Sequence, residues 1–216
     1  MLKVGLTGGI ASGKSVVGEM FVGLGAHLVQ ADKIAHELML PGRPVYNEVV
    51  KHFGGAILNA DMSVNRARLA EAAFGAVREG STQSASRVQE LNRIVHPAVI
   101  RAQEEWMEEV GRQNRGAVAM VEAALIVEAG AAKRFDSLIV VTCDEEQRVA
   151  RFAARQKLPL EEARKEVARR MAAQLPDAEK INVANYVIDN SGSLNHTRGE
   201  VERVWGELRA KAGGEL

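Results

Sequence analysis

Gly8-Gly9-Ile10-Ala11-Ser12-Gly13-Lys14-Ser15 decides how the rest of this chain is read. The spacing is G-x-x-x-x-G-K-[ST], the Walker A pattern of a phosphate-binding loop. Its flanks suit such a loop. Leu2-Lys3-Val4-Gly5-Leu6-Thr7 reads as a short apolar strand, and Val16 to Leu24 as a helix with Val17, Met20, Phe21 and Leu24 at helical spacing. Glycines let backbone N–H groups turn inward around phosphate oxygens, and the helix N-terminus adds partial positive charge at the same place. Gly9, Ile10, Ala11, Ser12, Gly13, Lys14, Ser15 and Val16 are therefore the expected ATP cradle. Lys14 is placed to reach the β- and γ-phosphates, and the Ser15 hydroxyl to ligate Mg²⁺. The competing reading, a glycine-rich turn that binds nothing, is opposed by agreement at every motif position and on both flanks.

Composition sets the outer bounds. The chain has 216 residues, 46 % hydrophobic and 26 % charged, as in an ordinary globular protein. Lys+Arg and Asp+Glu both total 28, so no net charge draws nucleic acid or a membrane surface. An aromatic content of 4 % further disfavours a nucleic-acid partner. One cysteine, Cys143, permits no intramolecular disulfide and no four-cysteine zinc site. It follows a strand-like run and reads as a buried structural thiol. No stretch reaches the ~18 apolar residues of a membrane span, and the chain opens directly on its first strand, leaving no room for a signal peptide. The expectation is a cytoplasmic protein with no nucleic-acid or membrane partner, a monomer or a weak homo-oligomer.

Further apolar runs at 26–30, 117–121, 137–142 and 186–189 read as strands. Continuous β-branched runs suit strands covered on both faces, as in a parallel sheet. Their alternation with helical stretches predicts an α/β three-layer domain with a five-stranded parallel sheet and right-handed crossovers. Two intervals are too long for simple crossovers. Residues 33–116 hold helix-like segments Pro44–Phe53, Arg66–Arg78 and Ser86–Val110, punctuated by Gly54-Gly55 and Gly80-Ser81, and read as an α-helical insertion building the acceptor-substrate site. Residues 145–183 are arginine- and alanine-rich, with helices expected around a turn at Leu158-Pro159, and suit a mobile lid. That leaves 1–32, 117–144 and 184–216 as the nucleotide-binding core. Its last helix, Asn195–Lys211, is expected to turn Val201, Val204, Trp205 and Leu208 inward.

Ligands of open α/β sheets bind beyond the carboxyl ends of the strands. Asp32 lies there, two residues after the second strand. It can accept a proton from an acceptor hydroxyl, bind Mg²⁺ through water, or merely cap a helix starting at Lys33. Glu122 ends the third strand, where it either orients Mg²⁺ or water or is a solvated strand end. Glu128 reads as a partner for a basic group at the same rim or as a surface charge. Arg148, Arg151 and Arg155 share one helix face, and guanidinium groups closing over polyphosphate would offset transition-state charge. The lid-like position favours that role for Arg151 and Arg155; Arg148 stays open between it and pairing with nearby glutamates. Arg169 and Arg170 are weaker lid candidates. His36 would share a helix face with Asp32 and could touch substrate. His96-Pro97 should break or kink its helix, and His96 could cap, pack or contact ligand. His27, His52 and His196 have no metal-ligand spacing. Asp189-Asn190-Ser191-Gly192-Ser193 could hold an adenine, with Asn190 the residue in question, or be a plain turn.

Taken together, these residues resemble the dephospho-CoA kinase family over nearly the whole chain. Val4 to Ser15 is similar to its opening signature, as is Ala31-Asp32-Lys33-Ile34-Ala35-His36-Glu37-Leu38, which in the family follows a strand ending Asp-Ala-Asp. His96-Pro97 matches a His-Pro pair. Ala124-Leu125-Ile126-Val127-Glu128 resembles a Pro-Leu-Leu-Phe-Glu segment, and Gln174 with Ala184 to Gly192 resembles the C-terminal signature. The resemblance implies a P-loop NTPase fold with a helical substrate-binding insertion and a lid. It implies phosphorylation by ATP of the ribose 3′-hydroxyl of dephospho-CoA, with Asp32, Lys14 and Arg151 catalytic. Asp32, His36 and His96 would meet the acceptor, and Arg151, Arg155 and Asn190 the nucleotide. Gln30 replaces the first Asp of Asp-Ala-Asp, Ala124 the usual Pro, and Asn185 an Asp common before the last strand. The rival readings are another P-loop small-molecule or nucleotide kinase, and a P-loop regulatory switch. For the switch, an Asn-Lys-x-Asp motif is absent, and Asp189-x-x-Gly192 comes far too late in the chain.

Overall fold

The computed structural model describes residues 1–74 and 83–213. The strands are β1 (Leu2–Gly8), β2 (His27–Gln30), β3 (Val118–Glu122), β4 (Ser137–Thr142) and β5 (Tyr186–Asp189), each within a residue of the expected runs. They form one parallel sheet in the order β2-β3-β1-β4-β5. The chain leaves β1 toward one edge, returns to β3 beside β1, then crosses to β4 on the other side. The carboxyl end of β1 is thus the switch point at which open α/β sheets bind ligands.

Helices α1 (Lys14–Gly23) and α9 (Leu194–Gly213) pack on one face of the sheet. Their apolar side chains join those of the strands in one buried cluster that includes Leu6, Val17, Phe21, Met120, Ile139, Ile188, Val201, Val204 and Leu208. Trp205, expected inward, is only half-buried and packs at the rim, 6.4 Å from the Phe21 ring. The opposite face is covered at Gly5 by Ile126, Phe135 and Leu138. Alternation of Val4 and Leu6 with Gly5 along β1 gives the third layer.

The chain divides into two compact units. The first joins Met1–Gln30 to Met107–Leu216; the second is Ala31–Trp106. The second holds α2 (Ala31–Leu38), α3 (Pro44–Phe53), α4 (Arg66–Phe74) and most of α5 (Gln83–Gln113). The end of the expected Arg66–Arg78 helix and the Gly80-Ser81 break lie outside the described residues. α5 carries the chain back into the first unit, so the boundary falls inside a helix, not at the expected residue 116. His96-Pro97 does not break α5. Val95 and Val99 are buried on either side of the proline, and that packing outweighs the roughly 3 kcal/mol a helix-interior proline costs.

The expected lid contains α6 (Glu145–Gln156), α7 (Leu160–Ala172) and α8 (Asp177–Asn182). The turn before α7 has Lys157 in the left-handed region and Pro159 as the cap residue. These helices belong to the first unit, because Ile10 of the phosphate loop packs with Val149, Phe152, Ala153, Ala163 and Val167 in one buried cluster. α8 is held by an ion pair: Lys180 Nζ, fully buried, lies 2.9 Å from Glu128 Oε1. The same oxygen accepts a hydrogen bond from Leu175 N at 3.3 Å. Glu128 is therefore not a surface charge but the anchor between the loop after β3 and the start of α8. Removing one partner of such a pair leaves a buried charge uncompensated. Glu128→Ala should lower stability by about 3–5 kcal/mol, read from denaturant midpoints; an unchanged midpoint would show that α8 does not depend on the pair.

Candidate active site

The phosphate loop starts where β1 can no longer carry a side chain. Gly8 has φ 153°, and a methyl group there would strike the Val141 carbonyl of β4. Gly13, with φ 92°, forms the left-handed cap of α1, and a methyl group there would strike the Asn190 amide. The first intrahelical bond of α1 runs from Val17 N to Gly13 O at 3.1 Å. The N–H groups of Lys14, Ser15 and Val16 therefore have no helical acceptor and are available to an anion. Lys14 Nζ donates to Gly8 O at 2.9 Å and Gly9 O at 3.0 Å, folding its charge across the loop.

Beside the loop, the register of the sheet brings three polar side chains together. Glu122 pairs with Gln30 across β2–β3 and with Leu6 across β1–β3. Ser15 Oγ donates to Glu122 Oε1 at 2.7 Å, and Gln30 Nε2 donates to Glu122 Oε2 at 2.8 Å. Glu122 is buried, so it is not a solvated strand end. Gln30, which stands where the family has Asp, supplies an amide donor to this carboxylate. Asn185 keeps an acceptor where the family has Asp, its Oδ1 taking Leu138 N at 2.7 Å.

The arginines of α6 part company along the helix. Arg151 Nη2 donates to Asn190 O at 2.9 Å and Gln147 Oε1 at 3.0 Å, while Nη1 lies 3.4 Å from Ser12 O and 3.1 Å from Cys143 Sγ. Arg155 is exposed and stacks on Phe152 at 5.7 Å, with Arg170 over the same ring at 5.3 Å. Arg169 and Arg170 pair with Glu166, which their hydrogen bonds pull down to about 2. Arg148, left open by the sequence, is buried beside the loop and paired with Asp177. Asn190 is buried with both ends of its amide engaged: Nδ2 donates to Ser12 O at 2.8 Å, and Oδ1 accepts from Thr197 Oγ1 at 3.0 Å. Its side chain braces the loop. Thr197, which spacing did not single out, completes that brace.

Gly9 to Ser15, Arg151 and Asn190 are thus brought together in the first unit, and Val16 is exposed beside them. Asp32, His36 and His96 belong to the second. Asp32 does not cap α2, because that helix already starts at Ala31; it lies exposed in the first turn, with His36 one turn on. His96 is exposed on α5. His52 pairs with Glu90 at 2.8 Å. No three His, Cys, Asp or Glu side chains converge as a metal site among the described residues, and no described helix is long and apolar enough to cross a membrane.

Cys143 is buried behind Arg151, and desolvation pushes its thiol above the ordinary cysteine range. The thiolate is the reactive form, so native protein at pH 8 should be alkylated by iodoacetamide far more slowly than the urea-unfolded chain. Equal rates would contradict this placement.

The dephospho-CoA kinase family model matches residues 2–196. A dephospho-CoA kinase from Geobacter metallireducens is 39 % identical over 207 residues, covering 96 % of each chain. The solved dephospho-CoA kinase from Campylobacter jejuni superposes with a TM-score of 0.67 at 25 % identity, over 99 % of this chain and 98 % of its own. Shikimate kinase from Acinetobacter baumannii shares the fold, with a TM-score of 0.52 at 13 % identity over 98 % of this chain and 94 % of its own. A family match across nearly the whole sequence, on a phosphate loop built and braced as described, means that this chain belongs to the dephospho-CoA kinase family.

Proposed function

We propose that this chain transfers the γ-phosphate of ATP to the ribose 3′-hydroxyl of dephospho-CoA, giving coenzyme A and ADP in the last step of coenzyme A biosynthesis. The observation that carries the reading is the convergence of Ser15, Glu122 and Lys14 at the carboxyl ends of β1 and β3. Phosphoryl transfer needs positioning and charge stabilisation more than covalent chemistry. The loop N–H groups and Lys14 hold the polyphosphate. Mg²⁺, when bound, neutralises charge on the β- and γ-phosphate oxygens. Ser15 Oγ and the buried Glu122 carboxylate are hard oxygen donors of the kind it takes, and one or two of these with substrate phosphates suffice.

Asp32 accepts the proton of the ribose hydroxyl, which its exposed carboxylate is free to approach, and His36 and His96 contact the acceptor. Arg151, held against the loop by Asn190 and Ser12, stabilises the transferring group; Arg155 makes the outer phosphate contact. We place the enzyme in the cytoplasm, as a monomer or weak homo-oligomer that needs neither nucleic acid nor a membrane.

The first test is ADP release from Mg·ATP with and without dephospho-CoA, with the product weighed. Acceptor-dependent ADP and a product heavier by one phosphate are expected. ATP binding without stimulation by dephospho-CoA would overturn the substrate and call for shikimate, nucleoside monophosphates and pantothenate as acceptors. Asp32→Asn should lower kcat by about 10²–10⁴-fold with the Kd for ATP nearly unchanged; a wild-type kcat removes Asp32 as the base. Lys14→Ala should weaken nucleotide binding and turnover together, and unchanged turnover would take it out of the site.

A further inference from the structure

Arg148 has no part in the mechanism above, yet its guanidinium sits against the phosphate loop. Only 2 % of the residue is exposed. Nε donates to Cys143 O at 2.7 Å, and Nη2 is paired with Asp177 Oδ2. Nη1 makes no hydrogen bond among the described residues. It lies over Gly9: a methyl group built on that glycine would meet Arg148 Nη1 before any other atom, with Asp177 Oδ1 next at 3.2 Å. Lys14 Nζ reaches the same glycine at its carbonyl oxygen, 3.0 Å away.

A guanidinium has five donors in a planar fork. Taking it out of water costs several kcal/mol, which is recovered only if its hydrogens find acceptors. Cys143 and Asp177 engage Nε and Nη2 and so fix the plane of the fork. The edge left over faces the opening residues of a loop whose chemistry is to surround phosphate. Planar, doubly donating recognition of phosphate is what arginine does better than lysine.

We propose that Arg148 is a nucleotide-binding residue that donates through Nη1 to the terminal phosphate of ATP, with Asp177 the positioning residue that holds the guanidinium over Gly9. This rests on the phosphate loop being the ATP site. The competing role is structural: Arg148 would merely tie α6 and α8 to the end of β4. That role changes stability but cannot tell ATP from ADP.

The test is calorimetric titration of ATP and of ADP, each with Mg²⁺, into wild type, Arg148→Gln, Gly9→Ala and Asp177→Asn, with a thermal midpoint for each. Wild type must bind both nucleotides; if it binds neither, the reading of the loop fails before Arg148 is at issue. A hydrogen bond to a charged group is worth about 1.5–3 kcal/mol. Arg148→Gln should therefore weaken ATP roughly 10- to 100-fold and ADP far less. Gly9→Ala keeps the arginine but pushes its guanidinium away, so it should repeat the ATP-selective loss, and it decides the matter if Arg148→Gln does not fold. The double variant Gly9→Ala/Arg148→Gln should be no worse than the weaker single one. Asp177→Asn should show part of the same selective loss, beyond what its midpoint explains. Wild-type ratios of ATP to ADP affinity in folded Arg148→Gln and Gly9→Ala, or equal loss of both nucleotides, would overturn the assignment.

Discussion

The end of β1 accepts only glycine, and most of the molecule follows from that. β1 runs between β3 and β4, and at Gly8 the neighbouring Val141 carbonyl occupies the space a Cβ would need. The chain must leave the sheet there. It does so at the topological switch point, where the crossover from β1 goes to one side and the later crossover from β3 to β4 goes to the other. Gly13 then turns the loop into α1 against Asn190, so the N-terminus of a helix faces the strand ends. The loop is held from behind by polar contacts, not by apolar packing alone. The Ser12 carbonyl takes the Asn190 amide, and Arg151 ties Asn190 in turn. A loop braced in this way keeps its N–H groups pre-arranged for phosphate, which is the electrostatic preorganisation that phosphoryl transfer relies on.

Departures from the family's pattern are compensated by chemistry at the same place. Gln30 gives up a carboxylate but offers an amide hydrogen to Glu122, and Glu122 holds the Ser15 hydroxyl. With its hydrogen committed to Glu122, the Ser15 oxygen keeps its lone pairs for a cation. Asn185 lacks the charge of Asp yet its carbonyl oxygen still caps the start of β4. Ala124 accepts the Thr7 hydroxyl through its carbonyl at 3.2 Å, a contact that does not depend on its side chain. At Asn185 an acceptor remains where the residue type differs, whereas at Gln30 a donor stands where the family has an acceptor.

The segment expected as a lid is tied to the core by apolar packing and by one ion pair, and a second ion pair joins two of its own helices. α8 carries Asp177 and Lys180, a single turn apart: Lys180 is paired with Glu128 of the core, and Asp177 with Arg148 of α6 inside the same segment. Ile10 adds an apolar contact from the phosphate loop to α6 and α7. A conformational change in the loop is therefore coupled directly to these helices, because any shift of Ile10 or Gly9 disturbs Val149, Phe152 or Arg148.

The amino-acid order alone carried the phosphate loop, the five strands, the parallel α/β architecture and the family. These are local or periodic signals: a glycine spacing, runs of β-branched residues, a helical repeat. It also singled out Lys14 and Ser15, whose places the phosphate-loop motif specifies, and named Asp32 as a candidate through the family resemblance. Tertiary structure decided what depends on register and on burial. Glu122 read as either solvated or functional until the pairing of β3 with β2 and β1 set it between Gln30 and Ser15. Arg148, Arg151 and Arg155 share one helix face in sequence, where Arg151 and Arg155 read as the phosphate contacts and Arg148 stays open, but packing buries the first, braces the second and exposes the third. Asp177 and Lys180 carried no signal, because their partners lie 29 and 52 residues away, and Thr197 carried none because its partner Asn190 lies before the helix begins, where no helical repeat relates the two. Proximity in the chain specifies backbone conformation; which side chains share a buried charge is settled only when the strands and helices come together.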